Sequence, residues 1–149
     1  MSDALVFDVI DKLIAEMPLT PEKVSHALDA RLARDRDSDT AALEAYALPA
    51  NAKGSRYETV DLRMPDADIG DGTVFLSVTM RADEGVDQSA IGERYGLDFQ
   101  AEVPSPRYAP GTIPVYLVYE REWGTLSFGV TADAARELVR FVLSTRRAD

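Results

Sequence analysis

The amino-acid sequence predicts an α+β fold with an N-terminal helical hairpin, an antiparallel sheet of four or five strands and a C-terminal helix packed on that sheet. Three observations support this prediction. Apolar residues recur at helical spacing through residues 3–17. After Arg56 the apolar pattern changes to alternation, which is typical of half-buried strands. The last third of the chain, from Gly111 to Arg147, reads as a strand, a tight turn, a second strand and an amphipathic helix.

Length and composition indicate one domain over residues 1–149, with a helical part in 1–48 and the sheet and last helix in 56–149. A chain of 149 residues is long enough to bury a single core. Its 46% hydrophobic and 28% charged residues are ordinary values for a globular protein. The absence of cysteine excludes disulfides, thiolate metal sites and cysteine nucleophiles.

The first 48 residues carry the signals of two helices and a shorter third one. Apolar side chains of residues 3–17 form one stripe, and Pro18 follows where that helix is expected to stop. The second helix is predicted to begin with Thr20 as its N-cap and Pro21 at its first helical position, and its apolar seam reaches Leu32. A short third helix is predicted over residues 41–48.

Five runs of alternating residues predict the strands of the sheet. Each run has one strongly apolar side, and we assign those sides to the core. A turn of helix is predicted around residues 88–94. The predicted core-facing residues are Val60, Leu62 and Met64; Val74, Leu76, Val78 and Met80; Leu97, Phe99, Ala101 and Val103; Ile113, Val115, Leu117 and Tyr119; and Leu126, Phe128 and Val130.

The predicted C-terminal helix follows the last of these strands. Thr131 is its expected cap, with Asp133 in the first turn and Arg146 and Arg147 at the end, as the helix dipole favours. Its apolar stripe would consist of Leu138, Val139, Phe141 and Val142.

The opposite face of the sheet is predicted to be polar with scattered aromatic residues. An antiparallel sheet can leave such a face in water, or the N-terminal helices can cover part of it. Amphipathic aromatic side chains among polar groups also resemble the composition of interfaces. The residues proposed for a ligand-binding face are Tyr57, Phe75, Arg81 and Tyr116.

The formal net charge of −10 restricts the class of partner. An acidic surface repels phosphate backbones, so we expect no nucleic-acid partner. It favours encounter with a basic protein, although net charge also serves solubility alone. No apolar run is long enough to span a membrane, and the N-terminus lacks the basic region of a signal peptide, so we expect no membrane partner and a cytoplasmic location.

No motif in the sequence specifies a reaction, a cofactor or a metal. Asp66, Asp68 and Asp71 invite comparison with a calcium loop, but glycine and glutamate do not stand where the EF-hand pattern requires them. A turn is the simpler interpretation, with a weak cation site as the alternative. His26 is the only histidine, and no partner for it is recognisable. We therefore expect no cofactor and no catalytic residue.

The turn of the final hairpin holds the only tryptophan, Trp123, beside Glu120 and Glu122. A tryptophan at such a tip can anchor an interface or fold back onto the sheet. These three residues are the candidate contacts for a basic partner.

Three hypotheses for function follow. The first is a non-catalytic acidic binding protein, such as a bacterial immunity-like inhibitor or adaptor for a basic protein. The second is a small-molecule-binding protein or small enzyme that uses the polar-aromatic sheet face. The third is an antigen or structural protein without intrinsic activity. The bacterial source is inferred from the excess of arginine over lysine and the frequent alanine. The sequence does not predict an oligomeric state.

Overall fold

An eight-stranded antiparallel sheet contains about half of the residues that the structure describes. The computed structural model of the chain describes residues 2–35, 43–48, 57–65, 74–80, 86–102, 114–132 and 136–145. Across the sheet the strands follow the order β1-β2-β3-β4-β8-β7-β6-β5. The strands are β1 (Ala33–Arg34), β2 (Leu43–Ala47), β3 (Tyr57–Pro65), β4 (Val74–Met80), β5 (Gln100–Glu102), β6 (Val115–Arg121), β7 (Gly124–Val130) and β8 (Leu138–Thr145).

The sheet consists of two four-stranded meanders that meet at one junction. Strands β1 to β4 form the first meander and β5 to β8 the second, and each is preceded by helix. The last strands of the two meanders, β4 and β8, pair antiparallel, with Leu76 opposite Leu143. The outermost strands are the shortest, with two residues in β1 and three in β5. Short edge strands offer little template for pairing with other chains.

In the described ranges three helices accompany the sheet: α1 (Ser2–Ala15), α2 (Pro21–Leu28) and α3 (Gln88–Tyr95). The first two lie where helices were predicted, and α3 includes the turn of helix predicted around residues 88–94. Thr20 caps α2, since its hydroxyl oxygen accepts a hydrogen bond from the backbone N–H of Lys23 at 3.2 Å. The helix ends at Leu28, earlier than predicted, because Asp29 adopts a left-handed conformation with φ of 50°. No helix among the described residues is long and apolar enough to cross a membrane.

The core lies between the three helices and one face of the sheet. Helix α1 reaches the second meander, where the ring of Phe7 meets that of Phe128 at a centroid distance of 6.5 Å. Burial of this face is the main stabilising contribution, at about 25 cal/mol per Å² of apolar surface. The sheet residues at the centre of the core are Val60, Leu62, Leu76, Val78, Leu117, Tyr119, Leu126, Phe128, Phe141 and Leu143. The opposite face of the sheet, called the open face below, carries none of these side chains.

The predicted C-terminal helix is wrong, because Leu138–Thr145 is the central strand β8. The cause is a β-bulge, where Val130 pairs with Leu138 but Gly129 pairs with Arg140, so Val139 is an extra residue. The bulge puts two residues between the buried side chains of Leu138 and Phe141, and this spacing of three positions imitates a helical stripe.

The predicted number of strands is also wrong. Eight strands replace four or five, because β8 takes the place of the predicted last helix and β1 and β2 lie in the part expected to be helical. The residues of β2 include good helix formers, yet all five pair with β3. Pairing along a whole neighbouring strand outweighs the weak intrinsic preference of a five-residue segment.

Candidate functional site: the Leu97 loop and its groove

Leu97 is the one large hydrophobic side chain that stands exposed in the described part of the chain, with 82% of its surface accessible. It lies in the turn between α3 and β5, called the Leu97 loop below (residues 96–99). A single exposed leucine is common on protein surfaces and is not by itself a site. What distinguishes this one is a loop held in place by its neighbours and a groove beside it.

Three hydrogen bonds fasten the Leu97 loop to strand β6. The hydroxyl of Tyr119 donates to the carbonyl oxygen of Gly96 at 2.8 Å. One terminal nitrogen of Arg121 donates to the carbonyl oxygen of Tyr95 at 3.1 Å, and the other pairs with the carboxylate of Asp98 at 3.0 Å. The Arg121 hydrogen bond lowers the pKa of Asp98 below its usual range, so this carboxylate stays charged. Leu97 is therefore presented on a fixed backbone.

Aromatic rings beneath the loop make its support rigid. Tyr119 is fully buried, and its ring lies 5.6 Å from that of Phe99 and 5.9 Å from that of Phe128. The ring of Tyr95, at the end of α3, lies 5.2 Å from that of Phe128. Such pairs add about 0.5–1.5 kcal/mol each beyond the area that they bury. The loop thus rests on the core.

A groove with a volume of about 710 Å³ runs beside the loop along α3. Helix α3 begins at Asp87, whose carboxylate caps the backbone N–H of Ala90 at 2.9 Å. Gly92 leaves room for the leucine, because a Cβ atom there would lie 3.0 Å from Leu97 Cδ2. The lining combines apolar side chains, Leu97 and Phe99, with the charged side chains of Asp87, Glu93 and Arg136. The lining residues are Asp87, Gln88, Ser89, Gly92, Glu93, Leu97, Phe99 and Arg136.

Helix α3 is tied to α1 by a charged cluster on its other side. Arg94 pairs with Asp8 at 3.3 Å and with Asp11 at 2.5 Å. The hydroxyl of Tyr95 donates to Asp11 at 3.0 Å. Burial and the nearby charge of Asp11 raise the pKa of Tyr95 far above its ordinary value, so the phenol is neutral in the folded protein. The cluster positions α3, and with it the groove.

The predicted contact residues at the hairpin tip between β6 and β7 differ in their exposure to solvent. Glu120 and Glu122 are exposed. Trp123 is half-buried and packs against the core. Its ring therefore lies partly over the sheet, and the two glutamates are the accessible part of the tip.

The four residues proposed for the ligand face are not brought together. Phe75 and Tyr116 lie on the open face, on β4 and β6. Tyr57 is buried in the core with 2% exposure, because a bulge between Tyr57 and Thr59 turns its side chain to the helix side. Arg81 lies outside the described residues. Arg140 lies on the open face instead, where it donates to the hydroxyl of Tyr116 at 3.2 Å.

The remaining candidates from the sequence add no site. His26 is exposed on α2. Asp66, Asp68 and Asp71 lie outside the described residues. Within the ranges that the structure describes, no group of three or more histidine, aspartate or glutamate side chains is arranged to hold a metal ion.

Sequence reasoning missed both Leu97 and Arg140 as surface residues. The alternation of residues 97–103 placed Leu97 on the core side of a strand, but β5 begins only at Gln100. The available signal was Gly96, whose φ of 97° ends α3 and delays the strand. Arg140 was placed on a helix that does not exist. Comparisons of the chain with protein-family models, with curated proteins and with solved structures find no match.

Proposed function

We propose that this protein is a non-catalytic binding protein for a basic protein partner, and that the Leu97 loop and its groove receive a partly apolar, partly basic segment of that partner. The observation that carries the proposal is Leu97, which is 82% exposed although its backbone is fixed by Tyr119 and Arg121. A contact that is already ordered loses little conformational entropy on binding. An exposed leucine on a fixed loop is therefore a favourable anchor.

Charge supports a basic partner. Among the described residues that line the groove, Asp87 and Glu93 are acidic and Arg136 is basic. Asp98 lies beside Leu97, with 65% of its side chain exposed. The formal net charge of the whole chain is −10. Complementary charge of this kind accelerates encounter and selects against acidic partners.

The hairpin tip is the second part of the proposed surface. Arg121 joins the tip to the Leu97 loop through Asp98, so the two regions are fixed relative to each other. Glu120 and Glu122 contribute exposed carboxylates, and Trp123 contributes its half-buried ring. The same proposal includes a role as an inhibitor or adaptor, a bacterial source and a cytoplasmic location. These three parts rest on the composition of the chain.

A labelled peptide of alternating lysine and leucine tests this function by fluorescence anisotropy. We expect saturable binding that weakens as salt is raised, because surface charges are screened within about 8–10 Å at physiological ionic strength. Leu97→Ser is expected to weaken binding about tenfold, which corresponds to about 1.4 kcal/mol. Leu97→Met, the matched control, keeps an apolar side chain and should stay within about twofold of the parent protein.

Two results would contradict the proposal. One is equal binding of a peptide of alternating glutamate and leucine, which would remove the charge argument. The other is unchanged affinity in Leu97→Ser, which would remove the anchor. Thermal unfolding of both variants serves as the folding control, since substitution of so exposed a side chain should leave stability within about 0.5 kcal/mol of the parent.

A further inference from the structure

Arg140 occupies the middle of the open face and bridges three strands. It lies on β8, and its Nε donates to the hydroxyl oxygen of Thr79 on β4 at 3.0 Å. On the other side, Nη1 donates to the hydroxyl oxygen of Tyr116 on β6 at 3.2 Å. The guanidinium is therefore held in one orientation by two neutral groups.

Gly129 makes this bridge possible. It lies on β7 between Tyr116 and Arg140, and it pairs with both of them in register. A Cβ atom on Gly129 would lie 3.1 Å from Tyr116 Cε1, so the tyrosine ring lies over the glycine. The absent side chain lets the phenol reach across β7 to the arginine.

Arg140 has no carboxylate partner among the described residues, although the chain carries a net charge of −10. Four of the six other described arginines pair with carboxylates: Arg34 with Glu44, Arg63 with Asp61, Arg94 with Asp11 and Arg121 with Asp98. A half-buried cation without a counter-ion is costly unless a ligand supplies the charge. Carboxylates are abundant in this sequence, so the absence of one here is notable.

Arg140 and its two hydroxyl partners retain unused hydrogen-bond donors. Of the five guanidinium N–H groups, two are used by Thr79 and Tyr116, which leaves three. Both hydroxyl oxygens accept from the arginine, and within the described ranges their own protons have no acceptor. A cluster that presents N–H and O–H donors beside a positive charge is complementary to an oxyanion.

We propose that Arg140, Tyr116 and Thr79 form a binding site for the carboxylate of a small organic acid. One guanidinium binds one carboxylate through two parallel N–H···O bonds. A more highly charged phosphate is disfavoured by the net charge and by Glu102, which is next to Tyr116 in register on β5. The adjacent row of small side chains, Ser77, Val142 and Ser127, leaves space for the organic part.

The side-chain Nε–Hε NMR signal of Arg140 tests the site directly. Titration of the full chain with acetate, at ionic strength held constant with sodium chloride, should shift this signal saturably with a dissociation constant on the order of 1 mM. Arg140→Gln should abolish acetate binding, which is then followed on the backbone amides of Ser77 and Ser127. Tyr116→Phe, which removes one orienting acceptor and one donor, should weaken binding about tenfold.

Glu102→Gln should change the affinity for acetate in the opposite direction, and it keeps the proposal testable if Arg140→Gln does not fold. Because it removes a negative charge from the same row, it should strengthen acetate binding about twofold to threefold. The site is refuted if the Arg140 signal moves linearly with acetate, or if chloride alone reproduces the shift. Tighter binding of inorganic phosphate than of acetate would overturn the assignment to a carboxylate.

Discussion

The hydroxyl of Tyr119 donates a hydrogen bond of 2.8 Å to the carbonyl oxygen of Gly96, and the ring of this tyrosine has no accessible surface. The bond joins the centre of the core to the turn that carries Leu97. The position of the exposed leucine therefore depends on a buried residue that a binding partner cannot contact.

Replacement of Tyr119 by phenylalanine keeps the ring and removes this bond. We expect a loss of about 1 kcal/mol in the free energy of unfolding, because the Gly96 carbonyl loses its partner. We also expect faster amide hydrogen exchange at Leu97 and Asp98, where the loop is released. Urea denaturation and hydrogen exchange measure the two effects.

Tyr46→Phe is the matched control for this variant. The Tyr46 hydroxyl bonds to Glu44 at 3.2 Å near the opposite edge of the sheet. Its loss should not change exchange at Leu97. Equal effects of the two variants on the loop would show that the Tyr119 bond does not hold it.

Replacement of two glycines by alanine should change the stability of the protein in opposite directions. Gly124 has φ of 146°, and a Cβ atom there would lie 2.0 Å from the carbonyl oxygen of Ser144, so Gly124→Ala should destabilise the protein by at least about 1–3 kcal/mol. Gly92 lies inside α3, where alanine is favoured by about 0.5–1 kcal/mol over glycine. Its new methyl group meets only the exposed end of Leu97, which can move. Denaturant midpoints measure both changes, and a stabilised Gly124→Ala would contradict the hairpin geometry.

Stability at alkaline pH should depend on Tyr95. The pKa of this phenol is raised above its ordinary value of about 10, mainly by burial and then by Asp11. The unfolded chain therefore releases this proton at lower pH than the folded protein does. The contribution of Tyr95 to stability is fully present below about pH 10 and falls as the pH rises above it. Urea midpoints between neutral pH and about pH 11 should fall less steeply in Tyr95→Phe than in the parent.

Asp11→Asn separates the two causes of this shift. It removes the charge of Asp11 and leaves the burial of the ring, which is the largest single cause. Most of the alkaline loss of stability should therefore persist in this variant. If the urea midpoint of Asp11→Asn changes with pH as little as that of Tyr95→Phe, the alkaline loss of stability is due to the charge of Asp11 instead.

The sequence predicts strands well where alternation is unbroken and fails where a bulge breaks it. In β4 every second residue from Val74 to Met80 is buried, and this strand was predicted correctly. In β8 one extra residue, Val139, converts the same kind of strand into an apparent helical stripe. The bulge beside Tyr57 likewise breaks the alternation, and it turns that one side chain to the helix side of the sheet. A bulge is set by the neighbouring strand, and that neighbour is remote in sequence.

The candidate sites were less predictable than the fold. The open face was anticipated from its polar residues, and Phe75 and Tyr116 lie there. Arg140 could join them only once β8 was known to be a strand between β4 and β7. The exposure of Leu97 depends on Tyr119 and Arg121, which lie more than twenty residues away in the chain. Patterns within a short stretch of sequence do not reveal contacts between residues so far apart in the chain.

The junction of β4 and β8 also bears on how the chain finds its native state. Each meander forms from neighbours in sequence, whereas this one interface joins strands about sixty residues apart. Formation of the meanders should therefore precede their association. Until then both partner strands are long, apolar on one side and unpaired along an edge. Two nascent chains that meet at this stage can exchange halves, each β4 pairing with the β8 of the other molecule. Entwined dimers in concentrated refolding mixtures are the expected by-product of this architecture.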